Sequence, residues 1–295
     1  MDQRLLLMHQ AMLGDRPRLR AYDQALEQAV KPDDVVVDVG AGTLALTLLA
    51  LRHGAGHVYA VEADPVMAEV ADRVVASNGL AGRVTVIHGD ARAVRLPDAA
   101  DVLVAELMGN LGPEEGMADV VAAVARRNLR PEGRVVPRRL GTRLAPVEFD
   151  HEGWGLWRDD FHGYRLDAVA ETVPPAAHLH FFQREPRLLA DPVPVLDMAL
   201  GRGPRPEPPG TGHLAVTRAG RLDAVIGYFT AEVGDVTLAN FPSYPGCNWA
   251  VWVWPLRHTT VEPGDSIRVA LRPPDGRRAR LATEWRLDCH IRRRR

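Results

Sequence analysis

The sequence predicts an α/β domain built on a parallel sheet, followed by a second, antiparallel β domain. In the first half, short apolar runs alternate with stretches whose apolar residues recur at helical spacing. Beyond about residue 140, helical spacing gives way to short β-like runs separated by proline and glycine, as in an antiparallel barrel or sandwich. With 295 residues, 46% of them hydrophobic, the chain is long enough for two modest domains.

The composition argues against several classes of function. A net charge of −2 argues against bulk binding to nucleic acid or to an acidic membrane surface. The two cysteines, Cys247 and Cys289, lack ligand-like spacing, so neither a disulfide framework nor a metal site is expected. No segment approaches the roughly 20 apolar residues of a membrane span, and the first residues lack a signal-peptide pattern. We therefore expect a cytoplasmic protein.

The first 34 residues are predicted to form two helices. Residues 4–14 predict a short helix, and a second begins after Asp15, which is expected to cap it, with Pro17 in its first turn. The apolar stripe of this second helix consists of Leu19, Tyr22, Leu26 and Val30.

A glycine turn follows the first predicted strand. The strand covers residues 35–39 and ends at Gly40-Ala41-Gly42-Thr43, where glycines allow the backbone to approach a ligand closely. Leu44 stands where a third glycine would complete the usual pattern. The next strand, 57–61, ends at Glu62, about twenty residues further on, where an acid commonly binds ribose hydroxyls. On these residues alone, NAD and S-adenosylmethionine both fit.

A short apolar run, 101–105, predicts a strand that ends at Glu106, where open α/β sheets place their ligands. A loop rich in glycine, asparagine and proline then leads to Glu114 and Glu115, which open a helical pattern. Carboxylates at both ends of one loop repel unless a cation lies between them, so the pattern suits a planar guanidinium. The alternative is that Glu114 and Glu115 only complement a helix N-terminus.

Several of these stretches together resemble the protein arginine methyltransferases. Residues 106–117 resemble the double-E loop of that family, through Glu106, Met108, Gly109, Glu115 and Met117. Residues 9–22 resemble the segment that closes over the methyl donor, through His9, Met12, Leu13, Asp15, Arg18 and Tyr22. Leu107 replaces the usual tryptophan, and Gly112-Pro113 replaces apolar residues. The resemblance extends from about His9 to Ile291.

The resemblance implies a fold and an assembly. The fold would be a Rossmann-like seven-strand methyltransferase domain over 35–138, capped by N-terminal helices in 1–34. An antiparallel β-barrel domain would follow over 139–295, with an inserted dimerisation arm at about 150–170. Residues 157–167 match this arm, which implies a homodimer.

The resemblance also implies a site. S-adenosylmethionine would be the cofactor and S-adenosylhomocysteine its product, bound by Arg18, Asp38, Gly40, Gly42, Thr43, Glu62 and Asp90. The family often places an acid for the adenine amino group where this chain has Arg92. The acceptor would contact Met12, Met108, Asn248 and Trp249, and the catalytic residues would be Glu106, Glu115 and Asp15. Asn248 replaces the family's histidine partner of Asp15, and an amide does not accept a proton near neutral pH.

The implied reaction is methyl transfer from S-adenosylmethionine to a guanidino group. The altered acceptor motifs favour a small guanidino compound, such as free arginine or an arginine-derived metabolite, over arginine in a protein. A non-catalytic S-adenosylmethionine-binding regulator is an alternative that gives no reason for both glutamates. A nicotinamide oxidoreductase would explain only Gly40, Gly42 and Glu62.

Overall fold

The computed structural model describes residues 3–150, 152–157, 160–172, 176–203, 210–241, 249–273 and 285–294. The first part of the chain is a parallel sheet with helices around it. Its elements are α1 (Gln3–Gly14), α2 (Arg16–Ala29), β1 (Val35–Val39), α3 (Ala45–Arg52), β2 (His57–Glu62), α4 (Pro65–Ser77), β3 (Val84–His88), β4 (Ala100–Ala105), α5 (Met117–Asn128) and β5 (Leu129–Val136).

The five strands of this sheet lie in the order β3-β2-β1-β4-β5, and all neighbours are parallel. The central strands read as continuous apolar runs because both of their faces are buried, as Val36 and Val37 illustrate. The chain leaves β1 on one side for β2 and β3, and then returns to its other side with β4. This reversal leaves a crevice at the carboxyl ends of β1 and β4, where open α/β sheets bind their ligands.

Helix α2 packs as its sequence pattern predicts. Asp15 caps α2, since its Oδ1 accepts the backbone N–H of Arg18 at 3.1 Å. Pro17 is the second residue of the helix. The face of α2 that carries Tyr22 and Leu26 is fully buried. Tyr22 also donates its hydroxyl proton to the carbonyl oxygen of Ala105 at 2.9 Å, which fastens α2 beside the end of β4.

The second part of the chain is antiparallel. Its elements are β6 (Arg139–Glu148), α6 (Asp167–Thr172), β7 (His178–His180), β8 (Arg187–Leu188), β9 (Val193–Ala199), β10 (Thr211–Ala215), β11 (Gly220–Val233), β12 (Val236–Ala239), β13 (Val251–Val261), β14 (Ser266–Arg272) and β15 (Arg286–Arg292). A seven-stranded sheet has the order β7-β13-β11-β6-β8, with β12 paired to β11 and β9 paired to β6. A three-stranded sheet has the order β10-β14-β15.

The predicted fold class is confirmed, with two differences in detail. The parallel sheet has five described strands, fewer than the seven that the class name implies. Within the described ranges, no ladder joins the two antiparallel sheets into a closed barrel. The physical reason is that β9 pairs with β6, whereas β10 pairs with β14, so the two sheets meet through a shared apolar core that contains Leu144 and Val269.

The predicted dimerisation arm is partly described, since residues 151, 158 and 159 lie outside the described ranges. A 3-10 turn covers Gly153–Trp157, and α6 follows. Between them, Phe161 and Tyr164 exchange backbone hydrogen bonds of 2.9 and 3.0 Å while their side chains face solvent. No helix in the described part of the chain is long and apolar enough to cross a membrane.

Candidate active site

A cavity of about 270 Å³ opens at the carboxyl ends of β1, β2 and β4. Its walls come from α1 and α2, from the turn after β1, and from the loop after β4. The residues that line it are Leu5, Met8, His9, Met12, Leu13, Arg18, Leu19, Tyr22, Gly40, Ala41, Gly42, Thr43, Ala45, Leu46, Glu62, Asp64, Met67, Glu106, Leu107 and Glu115. The cavity therefore collects residues that the sequence assigned to a cofactor and to a guanidinium clamp.

The glycine turn after β1 has the backbone that the sequence predicts. Gly40 and Gly42 have φ values of 77° and 51°, in the left-handed region that favours glycine. Leu44, where a third glycine is missing, also has a positive φ of 69°, and its side chain is fully buried. The apolar burial of Leu44 offsets the backbone strain of that position.

Glu62 is fixed at the rim of this turn. Its Oε2 accepts the backbone N–H of Gly42 at 2.9 Å, and its Oε1 accepts that of Asp64 at 2.8 Å. Each oxygen keeps a second lone pair. The carboxylate therefore faces the cavity ready to accept hydrogen bonds from hydroxyl groups of a ligand.

Asp38 lies beneath the turn and does not line the cavity. Its Oδ2 accepts the hydroxyl proton of Thr47 at 2.7 Å, while its buried Oδ1 has no hydrogen-bond partner among the described residues. Burial raises the pKa of Asp38 to about 6, although the bond from Thr47 lowers it. Contact of Asp38 with a cofactor therefore stays a prediction.

Asp90 does not line the cavity either. Its carboxylate forms an ion pair of 2.6 Å with Arg92, and both side chains are about half exposed. Arg92, which stands where the family often has an acid for the adenine amino group, is therefore paired with Asp90. Contact of Asp90 with a cofactor stays a prediction.

Arg18 connects the two halves of the cavity. It is 6% exposed, and its Nη1 donates to Glu106 Oε2 at 2.8 Å while its Nη2 donates to the carbonyl oxygen of Met12 at 2.5 Å. The guanidinium carbon also lies 5.0 Å from the centre of the Trp249 ring, in a cation–π contact. Arg18, the predicted cofactor residue, thus directly contacts Glu106, the predicted catalytic residue.

The three acids of the loop after β4 have different surroundings. Glu106 and Glu115 line the cavity, whereas Glu114 is buried away from it. Burial raises the pKa of Glu106 to about 7, Arg18 lowers it, and the charge of Glu115 raises it further. Glu106 and Glu115 are therefore within electrostatic reach of each other, as a pair that binds one cation requires.

The predicted acceptor residues are only partly brought together. Met12 lines the cavity, but Met108 is buried, and its carbonyl oxygen accepts Trp249 Nε1–H at 3.0 Å. Trp249 packs edge-on against Phe229 at a centroid distance of 5.0 Å. Asn248 lies outside the described residues. Asp15 is fully buried as the cap of α2, and a catalytic role for it stays a prediction.

Sequence reasoning missed part of the cavity wall. Met67 on α4 and Leu46 on α3 line the cavity but were not predicted to do so. The only sequence feature that marks them is their place in a helix that follows a strand. His9 matched a family position without an assigned role, and its ring comes within 3.0 Å of where a Cβ on Gly42 would lie. Burial lowers the pKa of His9, so the uncharged imidazole is favoured. Nowhere in the described ranges do three histidine, cysteine or acidic side chains form a group that could hold a metal ion.

Comparisons with known proteins agree with this geometry. Residues 36–133 match the family described as "Methyltransferase domain". An arginine N(omega)-methyltransferase of Streptomyces achromogenes subsp. streptozoticus is 30% identical over 277 residues, which cover 89% of this chain and 75% of that protein. Protein arginine N-methyltransferase 1 of Schizosaccharomyces pombe is 34% identical over 172 residues, which cover 56% of this chain and 50% of that protein. The crystal structure of protein arginine methyltransferase 10 of Arabidopsis thaliana superposes with a TM-score of 0.77 at 24% identity, covering 98% of this chain and 93% of that one.

Fold and cavity together define a Rossmann-like methyltransferase with a second, antiparallel β part. The chain belongs to the protein arginine N-methyltransferase family, which consists of S-adenosylmethionine-dependent enzymes. The resemblance stated from the sequence is thereby confirmed. The alignment spans about half the length of the fission-yeast relative and three quarters of the Streptomyces relative.

Proposed function

We propose that the protein transfers a methyl group from S-adenosylmethionine to a nitrogen of a guanidino compound. The observation that carries the proposal is the composition of the cavity, which has a glycine turn with Glu62 at one side and the pair Glu106 and Glu115 at the other. Arg18 joins the two sides through its 2.8 Å ion pair with Glu106. A purely nucleotide-binding protein would have no need for the second side.

S-adenosylmethionine supplies, when bound, an electrophilic methyl group on a sulfonium, whose carbon–sulfur bond breaks to give S-adenosylhomocysteine. The residues that would hold it are the glycine turn, Glu62 for ribose hydroxyls, and Arg18 for the carboxylate. The guanidinium of Arg18 has five N–H donors, and its hydrogen bonds to Glu106 and to the carbonyl oxygen of Met12 use two of them, so capacity for a ligand carboxylate remains.

Glu106 and Glu115 would bind the guanidinium of the acceptor between them. Two carboxylates draw the positive charge toward the nitrogens they contact, which raises electron density on the remaining nitrogen and orients it toward the methyl group. That nitrogen forms the new N–CH3 bond and then loses a proton. Because burial raises the pKa of Glu106 to about 7, this carboxylate is a better proton acceptor than an ordinary glutamate.

For the acceptor, we propose a small guanidino compound such as free arginine or an arginine-derived metabolite. The replacement of tryptophan by Leu107 and of histidine by Asn248 supports an acceptor site that differs from that of enzymes acting on proteins. The Streptomyces relative is named an arginine N(omega)-methyltransferase, whereas the fission-yeast relative is named a protein arginine N-methyltransferase. Arginine in a protein is therefore the second candidate.

We also propose that the protein is a homodimer whose arm at about 150–170 contacts the partner. Large apolar side chains on this segment are exposed, among them Phe161 and Tyr164. Exposed apolar patches of this kind commonly mark protein interfaces.

A turnover assay that measures S-adenosylhomocysteine release tests the proposed reaction. The acceptors are free arginine, a panel of small guanidino compounds and an arginine-rich peptide. Glu106→Gln and Glu115→Gln should each lower turnover on the order of 100-fold or more, since each removes one charge from the clamp. Their Kd for S-adenosylhomocysteine should change much less than turnover, because Glu62 and the glycine turn are intact and Glu106→Gln keeps an oxygen that accepts the hydrogen bond from Arg18.

Glu114→Gln is the matched control, since Glu114 adjoins Glu115 in sequence but faces away from the cavity. It should keep turnover close to that of the wild type. Turnover on the peptide alone would reject the small-molecule acceptor and leave the reaction class intact. Donor binding without methylation of any guanidine would reject the reaction itself in favour of a regulator.

A further inference from the structure

Asn240 contacts three separate segments at once. It follows β12 directly and is 4% exposed. Its Oδ1 accepts the backbone N–H of Phe229 at 2.9 Å, and its Nδ2 donates to the carbonyl oxygens of Asn110 at 2.9 Å and Ala250 at 2.7 Å. One side chain therefore joins β11, the residues just before β13, and the loop that connects β4 to α5. We call this loop, residues 106–116, the acidic loop.

The carbonyl oxygens of the acidic loop are held by side chains of the antiparallel part. Asn240 holds that of Asn110, Trp249 Nε1 donates to that of Met108 at 3.0 Å, and the hydroxyl of Thr142 donates to that of Leu111 at 2.7 Å. These contacts lie between Glu106 and Glu115. The antiparallel part thus fixes the backbone path that separates the two acids of the clamp.

Asn240 differs from the other two anchors because it also positions Trp249. It holds the carbonyl of Ala250, the neighbour of Trp249, and Trp249 lies against Arg18, the partner of Glu106. A change at Asn240 would therefore move the clamp from two directions. An amide suits this position because it offers two donors and an acceptor, whereas an aspartate of the same shape offers no donor.

We infer that Asn240 is a positioning residue for the acceptor, one that sets the distance and orientation of Glu106 and Glu115 relative to Trp249. The inference rests on the proposed function, since it assigns Asn240 to the clamp defined there. Asn240 touches neither the glycine turn nor Glu62 through its side-chain hydrogen bonds. Its loss should therefore act mainly on the acceptor clamp, while the glycine turn and Glu62 of the donor site are left unchanged.

The test compares Asn240→Asp and Asn240→Ala with Asn128→Asp. Asn128 is a matched control, because it is also a buried asparagine, 3% exposed, that bridges two backbone groups, the carbonyl of Val94 and the N–H of Leu96, both at 3.0 Å. Its side-chain hydrogen bonds do not reach the acidic loop. The melting temperature of each of the three variants is compared with that of the wild type. A loss of activity can then be separated from a loss of stability.

Two readouts separate positioning from general destabilisation. At saturating donor, the Asn240 variants should lose about 10- to 100-fold in kcat/KM for the acceptor, a size that fits a displacement of about 1 Å in a reacting geometry. Their Kd for S-adenosylhomocysteine should stay within about two-fold of the wild-type value. Amide hydrogen exchange of residues 107–116, measured with S-adenosylhomocysteine bound and no acceptor, should become at least about 10-fold faster in the Asn240 variants only.

Unchanged hydrogen exchange in the acidic loop of a folded Asn240→Ala protein would overturn the inference. Equal losses of kcat/KM for the acceptor in Asn240→Asp and Asn128→Asp would overturn it as well. The exchange readout needs no turnover. If the wild-type protein methylates no guanidine, the proposed function fails, while faster loop exchange in the Asn240 variants would still show that Asn240 positions the loop.

Discussion

Two neighbouring glutamates show how strongly position alone determines the chemistry of a side chain. Glu115 is exposed at the cavity, whereas Glu114 is 8% exposed, and its Oε1 accepts Leu111 N–H at 2.6 Å and Trp252 Nε1–H at 3.1 Å. Its buried Oε2 has no hydrogen-bond partner among the described residues. This oxygen lies 2.5 Å from where a Cβ on Gly109 would be, so Gly109 leaves the space that Glu114 occupies. The arrangement suits a neutral carboxylic acid, with its carbonyl oxygen accepting both bonds.

Glu114 should make stability depend on pH. Burial raises its pKa from 4.5 to about 7, so between these values the folded state binds more protons than the unfolded state. The free energy of unfolding should therefore fall as pH rises from 4.5 to about 7, by up to about 3 kcal/mol from this residue. Glu114→Gln keeps the acceptor and removes the titration, so denaturant unfolding between pH 5 and 8 should give a flatter profile.

The control for this prediction is Glu115→Gln, which removes an exposed acid from the same turn. Glu106 also has a pKa raised to about 7 and contributes in the same pH range, so only the difference between wild type and Glu114→Gln isolates Glu114. If the free energy of unfolding depends on pH in the same way in the wild type and in Glu114→Gln, a neutral, buried Glu114 is contradicted.

At the scale of secondary structure, local pattern was sufficient for the parallel sheet. The strands predicted over 35–39 and 57–61 are observed as Val35–Val39 and His57–Glu62, because buried strands read as apolar runs between turn residues. The helical pattern that opens at Glu114 begins later, at Met117. A 3-10 turn over Pro113–Glu115 ends at Gly116 with a φ of 71°, which breaks the helical path and directs the two glutamates differently.

The acidic loop shows what local pattern could not supply. Its placement after β4 and its two cavity acids followed from spacing and resemblance, but its anchors did not. Asn240 bonds to a residue 130 positions away, and Thr142 to one 31 positions away. Such contacts arise from packing between the two parts of the molecule, so neither residue has a periodicity or motif that marks it.

Helix α1 should become ordered when the donor site is filled. It lines the cavity through five residues, yet none of its own residues is buried, and Leu6, Leu7, Met8 and Leu13 are about half exposed. A helix with so little burial opens at low free-energy cost. Hydrogen exchange should therefore be fast in residues 3–14 of the ligand-free protein. It should become at least about 10-fold slower when S-adenosylhomocysteine binds, since a ligand stabilises the state that it contacts.

Helix α2 provides the internal reference for this measurement. Its face with Tyr22 and Leu26 is fully buried, so its amides should be protected with or without ligand. Strong protection of α1 in the ligand-free protein would contradict the prediction.

At the scale of the whole molecule, exposed apolar surface indicates how the chain assembles. The large apolar side chains exposed on the arm segment are Leu156, Phe161, Tyr164 and Val169, with 48%, 57%, 73% and 43% of their surfaces accessible. Leu48 on α3 and Val66 on α4 add exposed apolar surface on the parallel-sheet part. A segment that places two aromatic rings in water loses free energy that association would recover.

The double variant Phe161→Ser and Tyr164→Ser should therefore convert a dimer into a monomer of 32.4 kDa, as measured by light scattering coupled to size-exclusion chromatography. Each substitution removes apolar area worth roughly 2 kcal/mol when buried, and a twofold interface counts each residue twice. Leu179→Ser is the control, since Leu179 is 43% exposed on β7, outside the arm. It should leave the mass at the dimer value. A wild-type protein that is monomeric at micromolar concentration would reject the arm as a dimer contact, and a double variant that stays dimeric would place the interface elsewhere.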